Sequence, residues 1–163
     1  MNKTIRELSA KELVDMYSSM IYRLAYSRLC SVHDAEDITQ EVLLKYIRSG
    51  KSFRDEEHRK AWLIKVTVNS IKSLVSSAYN RHRAELDEAT ELTYEEKEPT
   101  GVAEAVAKLP EKYRIVIHLF YFEELSLKQI SEITGKSEGT IKSQLSRGRE
   151  QLKEILKEGN CYV

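Results

Sequence analysis

Apolar residues recur at intervals of three and four positions along most of this chain, and this spacing predicts amphipathic helices. Three such stripes occupy the first half of the sequence. They run through Leu13, Met16, Tyr17, Met20, Ile21 and Leu24, then Ala35, Ile38, Val42 and Tyr46, then Trp62, Leu63, Val66, Ile71 and Leu74. We find no convincing stretch with the period of two that is typical of a strand, so we expect an all-α fold.

The second half of the chain predicts a helix-turn-helix. A short apolar stripe and a longer buried helix come first: Val102, Val106 and Leu109, then Tyr113, Val116, Ile117, Phe120 and Tyr121. Ser126 is followed three residues later by Gln129, which is the spacing of a capping box. Gly135 suits a turn with positive φ, and Ser137 is placed to cap the next helix. In a helix-turn-helix this second helix enters the major groove of DNA.

Charge is distributed unevenly along the 163 residues, although the formal net charge is zero. Residues 1–83 carry 15 Lys and Arg against 10 Asp and Glu, residues 84–104 carry 1 against 8, and residues 105–163 carry 10 against 8. The acidic strip has no sustained apolar periodicity, and it ends in Pro and Gly, as extended linkers do. We therefore expect two small helical domains, residues 1–83 and 102–163, joined by an acidic flexible linker at residues 84–101.

The second helix of the helix-turn-helix has a polar face suited to DNA. At about 100° per residue, its apolar side is formed by Ile141, Leu145, Gly148 and Leu152. The residues that face away from that side, or lie beside it, are Gly139, Thr140, Lys142, Ser143, Ser146, Arg147 and Arg149. Arg pairs with guanine edges through two hydrogen bonds, and flanking Lys and Arg suit phosphates. The alternative is a solvated amphipathic helix with no ligand.

Enzyme, metal and membrane functions have little support in the sequence. It contains no P-loop, HExxH or GxSxG motif, and its four histidines are isolated from one another. Cys30 and Cys161 lack the spacing of a zinc or disulfide site, and Cys30 is expected in the core. No apolar run is long enough to span a bilayer, and the polar start "MNKTIRELSAKEL" is not a signal peptide. We expect a cytoplasmic protein that has no catalytic residue, cofactor, metal or small-molecule substrate.

Three segments in order resemble one family across most of the chain, from about Leu13 to Leu156. They are "DAEDITQEVLLKYI", "SFRDEEHRKAWLIKVTVNSIK" and "LPEKYRIVIHLFYFEELSLKQISEITGKSEGTIKSQLSRGREQLKEIL". Together they resemble the extracytoplasmic-function sigma factors of bacterial RNA polymerase, which keep two promoter-binding domains. The resemblance implies an alternative sigma factor that binds core polymerase and directs promoter recognition, DNA melting and transcription initiation, in a stress or envelope response. The alternative is a stand-alone helix-turn-helix regulator that binds duplex DNA.

The resemblance also implies roles for residues of the first domain. The docking face for core polymerase would be Asp37, Gln40, Glu41 and Lys45, and the alternative is a solvated face with local ion pairs. The reader of the melted minus-ten element would be Phe53, Lys65, Asn69, Lys72, Arg81 and Arg83. A flipped base needs a stacking wall and a hydrogen-bonding edge, which Phe53 and Asn69 are able to supply. Phe53 is equally suited to be a core anchor of its loop, and Trp62 is expected in the core.

For the second domain the resemblance implies binding of the minus-thirty-five element. That set comprises Lys136, Thr140, Lys142, Ser143, Ser146, Arg147 and Arg149. Lys142 stays ambiguous, because the resemblance places it near bases whereas its angle on the helix favours the backbone. The linker would thread toward the active-site cleft of the polymerase, with a solubilising spacer as the alternative. The implied partners are core RNA polymerase, promoter DNA and an anti-sigma factor, which in this family is often membrane-bound.

Overall fold

The computed structural model describes the backbone of residues 4–84 and 101–158, and the side chains of these ranges except residues 79–84 and 103. The chain divides into two compact units, residues 1–95 and 96–163, and each is described by itself. Every regular element in the described ranges is a helix, which confirms the all-α prediction. No helix in that part of the chain is long and apolar enough to cross a membrane. Most of the predicted linker, and Cys161, lie outside the described residues.

The first unit consists of three helices: α1 (Ala10–Leu29), α2 (Val32–Ser49) and α3 (Glu56–Ala84). Helix α1 begins with a capping box, because Ser9 Oγ accepts from the Glu12 amide while the Glu12 carboxylate accepts from the Ser9 amide. It ends at Cys30, which adopts a left-handed conformation with φ 51°. The prediction that Cys30 belongs to the core is wrong, since this turn leaves its side chain exposed.

The core of the first unit lies where its three helices pack together. The predicted stripes match it only in part, because Met16 is exposed and Val66 and Leu74 are half-buried. Its buried side chains include Leu13, Ile21, Leu24, Ala35, Ile38, Val42, Tyr46, Leu63, Ile64, Val68 and Ile71. All four stripe residues predicted for α2 are among them. The periodicity of a helix places one stripe inward and leaves the opposite face in solvent. That opposite face of α2 and of α3 carries most of the residues that the resemblance implicates in binding.

The second unit contains α4 (Gly101–Ala107), α5 (Glu111–Ile117), a π-helical turn (His118–Phe122), α6 (Leu127–Thr134) and α7 (Glu138–Glu158). The sequence predicts one buried helix through residues 111–122, and this is only partly right. The turn from His118 widens, so the last residues leave the buried register. Tyr121 is therefore exposed, contrary to expectation, and so is Phe122.

Gly148 allows α5 and α7 to pack closely. A β-carbon added to Gly148 would lie 3.2 Å from the Tyr113 Cβ and 3.3 Å from side-chain carbons of Ile117. Both distances are tighter than ordinary van der Waals contact, and Tyr113 Cβ is attached directly to the α5 backbone. Glycine in a helix interior costs up to about 1 kcal/mol relative to alanine. The close approach of the two helices explains why a glycine stands here.

This contact predicts opposite effects of alanine at the two glycines of α7. Gly139 has open space around it, with the nearest atom, Ser137 Oγ, at 4.0 Å from an added β-carbon. We expect Gly139→Ala to raise the free energy of unfolding by up to about 1 kcal/mol through helix propensity. We expect Gly148→Ala to lower it by about 1 kcal/mol, because overpacking outweighs that gain. Urea denaturation of the full chain, followed by circular dichroism, measures both changes. An equal rise in the free energy of unfolding for Gly148→Ala would contradict the prediction, because it would show that α5 shifts at no cost to make room for the added methyl group.

Candidate nucleic-acid and protein interfaces

The outer face of α2 brings together the four residues predicted to dock on a polymerase. Asp37, Gln40 and Glu41 are exposed, on the side opposite the buried stripe of that helix. Lys45 lies at the edge of this face, where its Nζ is 2.7 Å from Glu41 Oε1 and donates to Ser70 Oγ at 3.1 Å. An exposed ion pair of this kind contributes only a few tenths of a kcal/mol, so a partner is able to displace it.

Two apolar residues on the same face were missed from the sequence. Leu44 is 47% exposed and Ile47 is 51% exposed. At 100° per residue, Leu44 projects within about 20° of Asp37, near the centre of the acidic face. Both are apolar residues that lie outside the i, i+3, i+4 stripe of α2, and this is the sequence signal by which they could have been found. A face that combines carboxylates, an amide and exposed aliphatic side chains is suited to packing against another helix.

Helix α3 aligns three of the residues predicted to bind the minus-ten element. Lys65, Asn69 and Lys72 are exposed and lie within an arc of about 60°. The arrangement places one amide between two cations along a single strip, which suits a nucleic-acid strand with its phosphates on either side. Arg81 and Arg83 belong to the last turn of α3, and their side chains lie outside the described residues.

Phe53, predicted as a candidate stacking wall for a base, is instead a core anchor. Its side chain is 2% exposed, and its ring stacks on Tyr46 with centroids 5.8 Å apart and planes 6° apart. Trp62 meets the same ring edge-on at 5.7 Å. The backbone is held too, because the Ile5 amide donates to the Phe53 carbonyl at 2.9 Å. With both contacts in place the Phe53 ring offers no free face to a base.

Trp62, which we expected in the core, is instead a partly exposed aromatic residue next to Phe53. Trp62 is only half-buried, and the ammonium of Lys51 lies 5.8 Å from its ring centroid. On α3, Trp62 is about 60° from Lys65 and 20° from Asn69 around the helix axis. An aromatic ring beside an exposed amide and two lysines combines the groups that bind single-stranded nucleic acid.

A buried arginine fixes the loop that carries Phe53. Arg59 is 1% exposed, forms an ion pair with Glu56, and donates to the Arg6 carbonyl. Its guanidinium lies 5.7 Å from the Phe53 ring centroid. Tyr17 donates to Glu56 from α1, and burial together with that carboxylate raises the pKa of Tyr17. The network joins α1, the start of α3, the loop and the segment before α1, and no sequence pattern indicated it.

The turn of the helix-turn-helix forms as predicted. Ser126 and Gln129 make a capping box at the start of α6, and Gly135 ends that helix with φ 75°. The Thr140 amide donates to Ser137 Oγ at 3.2 Å, which caps the start of α7. These contacts set the direction in which α7 leaves the turn. Helix α7 then buries Ile141, Leu145 and Gly148 against the rest of the unit, while Leu152 is half-buried.

The outer face of α7 exposes the predicted base-reading residues. Ser143, Ser146 and Arg147 are exposed, opposite the buried Ile141 and Leu145. This arrangement leaves the Arg147 guanidinium with its five donors directed away from the core, as pairing with a base edge requires.

The remaining members of the predicted set differ in how they are held. Thr140 is exposed, but its hydroxyl lies 2.9 Å from Ser137 Oγ, within the cap. Arg149 Nε donates to the Leu145 carbonyl at 3.3 Å, which holds its side chain along its own helix. Lys142 is exposed at the flank, and Lys136 is half-buried in the turn.

Two sigma-factor family models match parts of this chain. The family model of sigma-70 region 2 matches residues 13–81, and that of sigma-70 region 4 matches residues 101–152. The ECF RNA polymerase sigma factor SigW of Bacillus subtilis (strain 168) is 34% identical over an alignment of 167 positions, which covers 90% of this chain and 88% of that protein. The RNA polymerase sigma factor SigV of the same strain is 35% identical over 130 residues, covering 77% and 78%.

Solved structures share the fold. The sigma factor RpoE of Bartonella quintana, crystallised with the anti-sigma factor NepR, has a TM-score of 0.66 at 24% identity, covering 90% of this chain and 96% of that one. CnrH, in complex with the cytosolic domain of CnrY, has a TM-score of 0.62 at 20% identity, covering 91% and 88%.

The chain belongs to the extracytoplasmic-function (ECF) sigma factors of RNA polymerase. It is an alternative sigma factor, which binds core polymerase and directs promoter recognition, DNA melting and the initiation of transcription. The alternative of a helix-turn-helix regulator with an unrelated sensing domain is wrong, because residues 13–81 match region 2.

Because Phe53 is buried, we predict that removal of its ring lowers the stability of the first unit, and that any effect on DNA binding follows from that loss. We expect Phe53→Ala to lower the free energy of unfolding of the first unit by about 3–5 kcal/mol, as for other buried phenylalanines. Phe53→Leu, which keeps most of the apolar volume, should cost less. Urea denaturation read by the fluorescence of Trp62, the single tryptophan, isolates this unit. Full stability of Phe53→Ala together with a loss of promoter opening would instead assign the ring to base contact.

Proposed function

We propose that the outer face of α2 is the surface that docks on core polymerase. The observation that carries this proposal is the exposure of Leu44 and Ile47 beside Asp37, Gln40 and Glu41. Two large aliphatic side chains at the centre of a polar face are costly in water and gain by burial against a partner. The surrounding carboxylates and amide suit a basic helical partner, and they orient it through charge.

We propose that the strip along α3 holds the melted minus-ten strand. Asn69 presents an amide to the edge of a base, while Lys65 and Lys72 neutralise phosphates on either side of it. Trp62 supplies the stacking surface, and Phe53 supports that ring from behind. Stacking of one base on an aromatic side chain contributes about 1–3 kcal/mol, enough to offset much of the cost of flipping it. Arg81 and Arg83, further along the sequence of α3, are proposed as additional phosphate contacts.

We propose that α7 reads the minus-thirty-five element in the major groove. Arg147 pairs with a guanine edge, and Ser143 is a second, weaker reader beside it. Thr140 and Ser146 are small enough to let the helix approach the bases. Lys136, Lys142 and Arg149 bind phosphates, because their positions lie away from the centre of the exposed face. Arg149 must release the Leu145 carbonyl to do so, which costs little for an exposed side chain.

We propose an anti-sigma factor as a further partner, held at the membrane or free. The support is that RpoE, which shares the fold, was solved with the anti-sigma factor NepR, and CnrH was solved with the cytosolic domain of CnrY. The chain acts in the cytoplasm, where polymerase and chromosome are, and responds to stress or envelope damage. Phosphodiester chemistry belongs to the polymerase, so no residue of this chain is assigned a catalytic role. The acidic linker remains a prediction, either inside the polymerase cleft or as a spacer.

Charge reversal on α2 tests the docking face. We expect the double variant Asp37→Arg, Glu41→Arg to lose binding to core polymerase, because two repulsive charges replace two attractive ones at the centre of the contact. Leu44→Ala alone should weaken binding several-fold through lost apolar burial. Pull-down of purified core by the tagged chain measures both.

The matched control is Asp15→Arg with Glu57→Arg. It makes the same change in net charge on exposed residues of α1 and α3 in the same unit. This control should bind core as the unaltered chain does. Equal binding by the α2 variant and the control would contradict the docking face, and equal loss would show a general effect of charge.

Two arginines of α7 should differ in how they affect promoter binding. Arg147→Ala should cost about 1–3 kcal/mol and relax the preference at one base pair, because a base-specific contact is lost. Arg149→Ala should weaken binding to all sequences alike and reduce the slope of log affinity against log salt by about one. Binding of holoenzyme to single-base variants of a promoter at several salt concentrations separates the two effects. A uniform loss across all variants for Arg147→Ala would mean that α7 is not oriented as described.

A further inference from the structure

Apart from Arg147, the cations of α7 all lie on one side of its reading face. At 100° per residue, Lys142, Arg149, Lys153 and Lys157 fall within an arc of about 80°, to one side of Arg147. The other side of the face is formed within α7 by groups without a positive charge, which are Thr140, Gln144, Gln151 and Glu158. Charge along this helix is therefore asymmetric about the direction in which it reads DNA.

A helix in the major groove has a phosphate backbone on each side. The groove is about 12 Å wide and a helix with its side chains is about 10–12 Å across, so both flanks of the helix approach phosphates. With α7 alone, one backbone would meet four cations and the other would meet glutamines. Phosphate contacts on both sides are what set the register of a protein on the duplex. The glutamine side of α7 therefore lacks a cation of its own.

Lys112 of α5 occupies that side. It is exposed and lines a groove of about 490 Å³ together with Ser143, Gln144 and Arg147 of α7. Its ammonium lies 5.0 Å from the ring centroid of Tyr113. The carboxylate that precedes it, Glu111, is 3.7 Å from the Arg114 guanidinium and so is partly neutralised.

The position of Lys112 relative to α7 is held by packing. The next residue, Tyr113, is buried, and its Cβ and the Ile117 side chain pack closely against Gly148. Because the two helices are in such close contact, the start of α5 does not move independently of the reading face. The Lys112 backbone is therefore held at a fixed distance from the DNA that α7 is proposed to bind.

We propose that Lys112 binds the DNA backbone on the Gln144 side of α7, while Lys142 and Arg149 bind the opposite backbone. The minus-thirty-five site is then built from two helices, with α5 supplying one clamp on the phosphates and α7 supplying the other clamp and the base contacts. This inference rests on the proposed function of α7 as the reader of duplex DNA, and it adds a residue outside the helix-turn-helix.

Salt dependence tests the clamp. The probe is the duplex that holoenzyme enriches from a pool randomised across the minus-thirty-five region. Loss of one phosphate contact reduces the salt slope by about 0.9, which corresponds to about 15-fold weaker binding at 50 mM salt and about fivefold at 150 mM. We expect Lys112→Ala to show this loss equally on all single-base variants of the duplex, and Lys112→Arg to restore the slope. Lys108→Ala, which removes a lysine of the same unit next to Glu104, is the matched control and should bind as the unaltered chain does.

The outcomes separate this inference from the proposed function on which it rests. An unchanged slope for Lys112→Ala, with the expected losses for Arg147→Ala and Arg149→Ala, overturns the clamp and leaves α7 as the reader. Unchanged binding by all three variants overturns the proposed function itself. Weaker binding by Lys112→Ala without a change in slope, or with a lower free energy of unfolding, also overturns the clamp, because the residue would then act through folding.

Discussion

Burial of one apolar stripe per helix determines which polar side chains of α2, α3 and α7 face solvent. On α2 the stripe ends in Tyr46, and its burial leaves Asp37 and Glu41 on the opposite side. On α7 the burial of Ile141 and Leu145 leaves Ser143 and Arg147 in solvent. Each surface assigned to a partner is thus the back of a packed helix. Substitutions in the stripe are expected to disturb recognition without touching a partner.

The features that could be predicted from the sequence are those set by residues close to one another in the chain. Capping boxes at Ser9 and Ser126, the turn at Gly135 and the outward face of α7 all depend on spacings of three to seven residues. Spacing of this kind is visible in the sequence because helix geometry is regular. The same regularity located Asn69 and its neighbouring lysines on one strip of α3.

The features that were missed depend on contacts between distant segments. Phe53 is surrounded by Tyr46, Trp62 and Arg59, and Arg59 in turn reaches the carbonyl of Arg6. An isolated aromatic residue in a polar loop suits either a ligand or a core, and only the partners decide between them. The widened turn after His118 has a similar cause, since one extra residue per turn shifts everything that follows. Gly148 is explained by the Tyr113 and Ile117 side chains of α5, and not by anything within α7.

Charge placement, more than net charge, has to account for the affinity of the second unit for DNA. Residues 105–163 carry only two more cations than anions, so the unit has no strong general field to attract a duplex. Its binding depends on a few positioned groups, each of which contributes a modest, salt-sensitive share. In the proposed arrangement, docking of α2 on a polymerase compensates for this weakness, because it raises the effective concentration of the DNA-binding surfaces at one promoter. Two modest contacts on one chain would then act together, and the base contacts proposed for Arg147 and Asn69 would decide which promoter is chosen.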